Sequence, residues 1–304
     1  MTNGRTDYIA RVQRVQDHIE QHLAEPLELV DLAKVAHFSP FHFHRIFTAL
    51  VGETPSAFVR RVRLERAASV LLTLPEYSIT EIAIDCGFGE TSSFSRAFRR
   101  HFGMSAREWR KNGHVNRKHG QVEEGAVAVS SNHQEVSMKP EALAPTGHDV
   151  QERDAFTVAY VRHTGPYAGD GSLFGRLFGQ LTGWLSARDL MSPTTRMLTI
   201  YHDDPGVTDD SQLRISVCAS VPTGTEGQGE VGVLEVPAGK CLVATFELTT
   251  AQYASAWQWV YGNWLPDSPY EPDDRFGYEE YLGMPDDKGI HRVALIIPVR
   301  PRRG

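Results

Sequence analysis

Leu32-Ala33-Lys34-Val35-Ala36-His37-Phe38 and Ile82-Ala83-Ile84-Asp85-Cys86-Gly87-Phe88 are the stretches on which the reading of this chain turns. They correspond at a shift of 50 residues. One residue is then inserted, and Phe43-His44-Arg45-Ile46-Phe47 corresponds to Phe94-Ser95-Arg96-Ala97-Phe98 at a shift of 51. Gly52 and Gly103 close the two copies. Each copy reads as a short apolar helix, a tight turn ending in an aromatic, and a second helix with phenylalanines four apart. Side chains at that spacing share one helical face, so the phenylalanines point inward and the residues between them outward. The repeat therefore describes one small helical unit, used twice.

Such a unit is suited to the DNA major groove. Its second helix is slim enough to enter and carries polar groups outward. Arg45 and Arg96 hold equivalent outward positions, and a guanidinium there can bond guanine in two places, worth roughly 1–3 kcal/mol of discrimination. The helix between the copies, about 56–74, carries Arg60, Arg61, Arg63 and Arg66. It is placed to hold the two second helices about one DNA turn apart. Ser39-Pro40 reads as an N-cap with the first helical residue, and Gly52 as the stop. Residues 1–112 are thus expected to be all-α with two helix-turn-helix units.

Charge supports a division of labour. The net charge of −7 splits unevenly: residues 1–115 hold 15 Lys+Arg against 13 Asp+Glu, and residues 116–304 hold 16 against 25. Seven of the 13 histidines lie in the first part. That asymmetry suits a polyanion at one end and a neutral or cationic partner at the other. The longest apolar run, Val293-Ala294-Leu295-Ile296-Ile297, is too short to cross a bilayer, and the first residues lack the apolar core of a signal peptide. Cys86, Cys218 and Cys241 are odd in number and widely spaced, which argues against disulfides or zinc and for a reducing compartment, by default the cytoplasm.

Beyond a polar, proline-punctuated linker over 113–149, with a short strand at 126–129, the periodicity alternates between strand and helix. Strands are expected at Phe156–Arg162, Arg196–His202 and Leu213–Val221, with a helix at Gly171–Arg188. The order recurs as a strand at Cys241–Leu248, a helix at Ala251–Trp264, and strands at Arg275–Leu282 and Val293–Val299. This is an α+β domain, 150–304, of two strand-helix-strand-strand repeats with a cleft between them.

Residues 8–112 resemble the AraC/XylS DNA-binding domain. Ile79-Thr80-Glu81-Ile82-Ala83-Ile84-Asp85-Cys86-Gly87-Phe88 followed by Phe94-Ser95-Arg96-Ala97-Phe98-Arg99-Arg100-His101-Phe102-Gly103 is close to that family's signature. The resemblance implies base contacts at Phe41, His44 and Arg45 in the first unit and at Thr91, Ser92, Ser93 and Arg96 in the second. Phe41 is apolar and suits only a thymine methyl or packing, and Ala106 stands where the family usually has proline. Residues ~150–304 resemble the GyrI-like domain, also found in multidrug-responsive regulators. The resemblance rests on Val158-Ala159-Tyr160-Val161-Arg162-His163-Thr164-Gly165-Pro166-Tyr167, Tyr201-His202-Asp203-Asp204-Pro205, Pro237-Ala238-Gly239-Lys240, Trp264-Leu265-Pro266-Asp267-Ser268 and Tyr278-Glu279-Glu280-Tyr281-Leu282. The combined layout resembles that of right-origin-binding-protein-like regulators. At Leu213-Arg214-Ile215-Ser216 the chain departs from the Tyr-Asp pair that often follows the arginine.

Trp257, Trp259, Tyr261 and Trp264 crowd one helix, with Tyr270, Tyr278 and Tyr281 close behind. Aromatic walls bind flat apolar or cationic molecules, and each cation–π contact adds ~0.5–2 kcal/mol. Strand alternation puts Glu279 and Glu280 on opposite faces. The resemblance makes Glu279 the pocket carboxylate, with Tyr167, Trp264 and Tyr270 as the other candidate ligand contacts, and turns Glu280 away.

His18 and His22 are four apart, but the glutamate of a zinc-protease motif is missing, so no metal is expected. Gly169-Asp170-Gly171 is no phosphate loop, and Ser172 reads as a helix N-cap rather than a nucleophile. No catalytic constellation and no cofactor follow. The expected protein is a non-enzymatic transcription regulator that binds double-stranded DNA and a small amphipathic or cationic aromatic effector, with RNA polymerase as a further partner and no membrane. The alternative is a GyrI-like hydrolase of reactive small molecules, with Glu279 as base and Tyr167 or Tyr281 as proton donor. An alkyl-transfer repair protein would need a cysteine cluster that three scattered cysteines do not make.

Overall fold

The computed structural model describes residues 4–116, 143–273 and 275–302. Seven helices come first: α1 (Gly4–Gln21), α2 (Leu29–Val35), α3 (Pro40–Val51), α4 (Pro55–Thr73), α5 (Ile79–Asp85), α6 (Thr91–Phe102) and α7 (Ala106–Asn116). The caps are those the local sequence dictates. The Ser39 and Thr54 side chains accept from the amides of His42 and Ala57, and a proline follows each cap. Ser78 and Glu81 form a reciprocal capping box. Ser105 and Glu108 exchange the same bonds at the start of α7, so Ala106 opens that helix without the expected proline.

The duplication is visible as two cores. Phe43 and Phe47 pack with Val12, Val15, Ile19 and Leu32, whereas Phe94 and Phe98 pack with Ile82, Leu71 and Trp109. All four phenylalanines are fully buried. Each contributes about 1.5–3 kcal/mol by leaving water. Helix α4 belongs to both cores, with Phe58, Val59 and Val62 in the first and Leu64, Ala67, Ala68 and Leu71 in the second. Two of its four arginines are structural. Arg61 is buried between Glu53 and Glu65, and Arg63 donates to the carbonyls of Leu23 and Glu25.

The second part is an antiparallel sheet with helices. Its strands are β1 (Gly147–Arg153), β2 (Phe156–Thr164), β3 (Met197–Tyr201), β4 (Arg214–Val221), β5 (Val231–Val236), β6 (Gly239–Leu248), β7 (Tyr270–Pro272), β8 (Tyr278–Tyr281) and β9 (His291–Pro301). They are ordered β1-β6-β9-β8-β3-β4-β2-β5, with β7 paired to β9. Helix α8 (Gly171–Ser186) covers one half through Leu173, Leu177, Leu181 and Leu185. Helix α9 (Tyr253–Trp259) covers the other half and runs on through a π-helical turn, Val260–Trp264, into a short turn, Leu265–Asp267. The N-cap of α8 is Asp170, which accepts from Leu173 N, and Ser172 donates to Asp170 rather than capping.

Three strands escaped the sequence reading: β1, β5 and β7. The expected linker is shortened at both ends, by α7 reaching Asn116 and by β1 starting at Gly147. The expected strand at 126–129 lies outside the described residues. No helix among them is long and apolar enough to cross a membrane.

Candidate functional site

The outer faces of α3 and α6 carry the residues proposed to read bases. Phe43 and Phe47 anchor α3, which leaves Phe41, His44 and Arg45 exposed. Phe41 is 66% exposed, and the Arg45 guanidinium lies 5.5 Å above its ring. That places an apolar plate beside a five-donor fork on one surface. On α6, Ser92 and Arg96 are exposed and Thr91 and Ser93 half-buried. Arg96 Nε donates to Ser92 O at 3.3 Å, and Ser93 Oγ to Glu90 O at 2.7 Å. Arg99, Arg100 and His101 sit in the last turn of α6. Arg45 and Arg96 thus occupy matching positions on the two second helices.

Glu279 lies at the middle of the sheet. Its strand β8 pairs with β3 so that Glu279 faces Thr199, and with β9 so that Glu279 faces Leu295. Alternation puts Thr199, Tyr201, Glu279 and Tyr281 on the helix-covered face, in the gap between α8 and α9. Leu198, Ile200 and Tyr278 face the other way. Glu279 is 1% exposed. Its Oε1 accepts from Trp257 Nε1 at 2.7 Å, and its Oε2 accepts from Tyr201 OH at 2.9 Å and Tyr281 OH at 3.3 Å. Among the described residues it is in no ion pair. Burial pushes its carboxyl up from 4.5 to about 7, against the pull of the three donors.

Aromatic rings surround this carboxyl. Tyr201 meets Tyr167 at 5.7 Å and Trp257 edge-on at 5.5 Å, and Phe178 of α8 meets Tyr281 at 5.6 Å. Tyr167, Phe178, Tyr201, Trp257, Glu279 and Tyr281 all line one crevice of about 2510 Å³. That exceeds the ~300–1,000 Å³ of a small-molecule site because the crevice continues into the seam between the helical part and the sheet. Asp17, Glu20 and Tyr77 line it there.

Of the four residues put forward from sequence, Glu279 and Tyr167 share the crevice. Trp264 and Tyr270 do not line it. They stack on each other at 6.2 Å and pack against the apolar core under α9. The π-helical turn explains the displacement. Trp257 and Trp264 are seven residues apart and would share a face of a regular helix, but the wider turn rotates the later residues by about 100°. Trp257 lines the crevice where Trp264 was expected, and Tyr201 joins it; Trp257 stood among the aromatics crowding that helix and Tyr201 in the Tyr201-His202-Asp203-Asp204-Pro205 motif, and an aromatic next to the strand of Glu279 was the available signal. Glu280 is on the opposite face, held by Arg196 and Arg153. His22 Nδ1 bonds the His18 carbonyl at 2.8 Å, and no metal-ligating cluster occurs among the described residues.

Two family models match the chain. Residues 148–300 match the family described as "GyrI-like small molecule binding domain", and residues 32–112 match "Helix-turn-helix domain". A probable transcriptional regulator LumQ of Photobacterium leiognathi is 37% identical over 91 residues, 30% of this chain and 36% of that protein. The HTH-type transcriptional activator RhaS of Salmonella arizonae is 35% identical over 111 residues, 36% of this chain and 40% of that protein. The chain therefore spans well under half the length of these curated relatives. The crystal structure of the DNA-binding domain of AdpA, the global transcriptional factor, in complex with a target DNA is 30% identical, covering 36% of this chain and 97% of that one, with a TM-score of 0.33. The GyrI-like match takes in 153 of the 304 residues, so the chain belongs to the family of GyrI-like small-molecule-binding proteins, and it carries an AraC-type helix-turn-helix domain ahead of that segment.

Proposed function

We propose that the protein is a ligand-responsive, sequence-specific DNA-binding transcription regulator acting in the cytoplasm. The observation that carries this reading is the pairing, in one chain, of two matched helices with outward arginines and a buried carboxyl that lacks a cation. Arg45 and Arg96 recognise base edges in neighbouring major-groove segments, with His44, Thr91, Ser92 and Ser93 beside them and Phe41 on a thymine methyl. Two such units in one polypeptide suit an asymmetric site. The effector is a flat aromatic cation. Its charge neutralises Glu279, and its rings lie against Tyr167, Tyr201 and Trp257. Trp264 and Tyr270 act behind this wall rather than in it.

The sheet-bearing part is read as two strand-helix-strand-strand repeats. The order β6-β9-β8 mirrors β2-β4-β3, with the third strand of each flanking its first, and this supports the reading. The expected domains, 1–112 and 150–304, are extended to the ends of the elements that bound them, Asn116 of α7 and Gly147 of β1. Effector alters transcription through its different affinity for two states of the protein, including its contact with RNA polymerase. Sensing is favoured over turnover because both Glu279 oxygens already accept hydrogen bonds from rigid aromatic donors.

The test is selection of bound fragments from genomic DNA by the full chain, with and without a phenanthridinium dye. Enrichment of a defined sequence that the dye changes supports the reading. Binding no tighter than to random competitor at moderate ionic strength overturns it. Turnover of an electrophilic small molecule by the chain, lost in Glu279→Gln, would favour the hydrolase instead.

A further inference from the structure

The seam between the two parts is held by buried charge. Asp17 and Glu20 of α1 reach the face of the sheet opposite Glu279. Asp17 accepts from Arg162 Nη2 at 2.6 Å and from Tyr160 OH at 2.5 Å. Glu20 bonds His202 Nδ1 at 2.7 Å and pairs with Arg214. Arg214 is held from its own side by Asp203, at 2.5 and 2.9 Å, and its guanidinium lies 5.1 Å over the ring of Phe58 in α4. The side chains of Arg162 and Arg214 are 2% and 1% exposed. Burying such groups is costly unless each finds its partner, so withdrawing α1 leaves Arg162 without its carboxylate. A network of this kind is either made or broken as a unit, with little room between.

One short piece of chain touches both this network and the pocket. Tyr201 donates to Glu279 on the helix-covered face, and the next two residues, His202 and Asp203, engage Glu20 and Arg214 on the other. Tyr201 is the last residue of β3, and the bend that follows turns both His202 and Asp203 to the side away from Glu279, so a shift of this strand end is felt on both faces. We propose that Tyr201-His202-Asp203 links the occupancy of the Glu279 pocket to the docking of the DNA-binding part, through Asp17 and Glu20. The inference rests on the reading of Glu279 as the effector site. A cation that claims Glu279 changes the partner of Tyr201, and the docked and undocked forms then bind it differently. Reciprocity requires that loosening α1 change the pocket in turn.

The experiment uses the full chain with Asp17→Asn/Glu20→Gln, near-isosteric changes at the seam end of the crevice, on the sheet face opposite Glu279. Hydrogen exchange is measured without ligand at 197–201 and 278–281, with β1 amides at 147–153 as internal reference. The expected result is exchange at least threefold faster in the pocket strands than in the parent, with β1 unchanged. Pocket exchange within twofold of the parent, or equal acceleration of β1, overturns the link. Tyr160→Phe removes one hydrogen bond and no charge. It is expected to give a smaller acceleration in the same direction, and it decides the matter if the double variant does not fold. In a second arm, a phenanthridinium dye is titrated into parent, double variant and Glu279→Gln. A threefold or larger change in Kd in the double variant supports the link, and an unchanged Kd overturns it. Dye affinity unaffected by Glu279→Gln removes the effector reading instead, and the ligand-free exchange then decides the link alone.

Discussion

Binding of a permanently charged aromatic dye is expected to follow the ionisation of Glu279, and pH is the sharpest perturbation. The carboxyl is held at about 7 rather than 4.5 by burial. The cation needs the ionised form, so affinity falls as pH falls through that value. Between pH 8 and pH 5.5 the ionised fraction drops from about nine-tenths to about 3%, which raises Kd about 30-fold, or ~2 kcal/mol. A carboxyl at 4.5 would change Kd by only about 1.1-fold over the same span. Glu279→Gln is expected to flatten the profile. It should weaken binding at pH 8 by about 10- to 100-fold, the ~1.5–3 kcal/mol typical of a charged contact. The assay is fluorescence titration with a dye whose charge does not vary with pH. A Glu279→Gln variant that keeps the parent's pH slope would refute the reasoning.

The same carboxyl bears on stability. Its folded value is raised, so stability is fully present below 4.5 and lost as pH rises towards about 7, a difference of 2.5 pH units. At ~1.4 kcal/mol per unit, Glu279→Gln is expected to be up to about 3 kcal/mol more stable than the parent at pH 8, with the gap closed at pH 4.5, as read by urea unfolding without ligand. Arg45→Ala and Arg96→Ala should each weaken specific DNA binding by about 1–3 kcal/mol with unfolding midpoints unchanged; footprints like the parent's would remove both from base recognition. Gly87 has φ +81°, and an added Cβ would sit 2.6 Å from Leu23 O and 2.7 Å from Arg63 Cζ. Gly87→Ala should therefore cost about 3 kcal/mol, from left-handed strain plus loss of Arg63's bonds to Leu23 and Glu25. Gly52→Ala, with φ +86° but open space around it, should cost only about 1–2 kcal/mol; equal losses in denaturant titrations would contradict this difference.

The helical part was legible because its signals are local. Phenylalanines four apart, serine caps and closing glycines all act within one or two turns of chain. The edge strand β1 was hidden for the opposite reason. Gly147-His148-Asp149-Val150-Gln151-Glu152-Arg153 is mostly exposed and carries no apolar alternation, so only its pairing with β6 makes it a strand. In β5 the alternation is broken by Gly232, which must stay small because Tyr160 lies against it. Glu279 was singled out through the motif around it, and the aromatic rings that surround it only in part, since the phase of α9 changes at a π-helical turn that no residue pattern announces. The seam was unreadable. Asp17 and Arg162 meet across 145 positions, and nothing near either one names the other.

Helix α4 donates one end to each phenylalanine core, and this sets a tolerance on the DNA rather than on the protein. Two readers fastened to a common rod cannot slide apart to follow a longer spacer. A single base pair inserted between their sub-sites turns the second by about 35° around the duplex axis, and about five carry it to the far side. Operators for this protein should therefore vary in letters far more readily than in length.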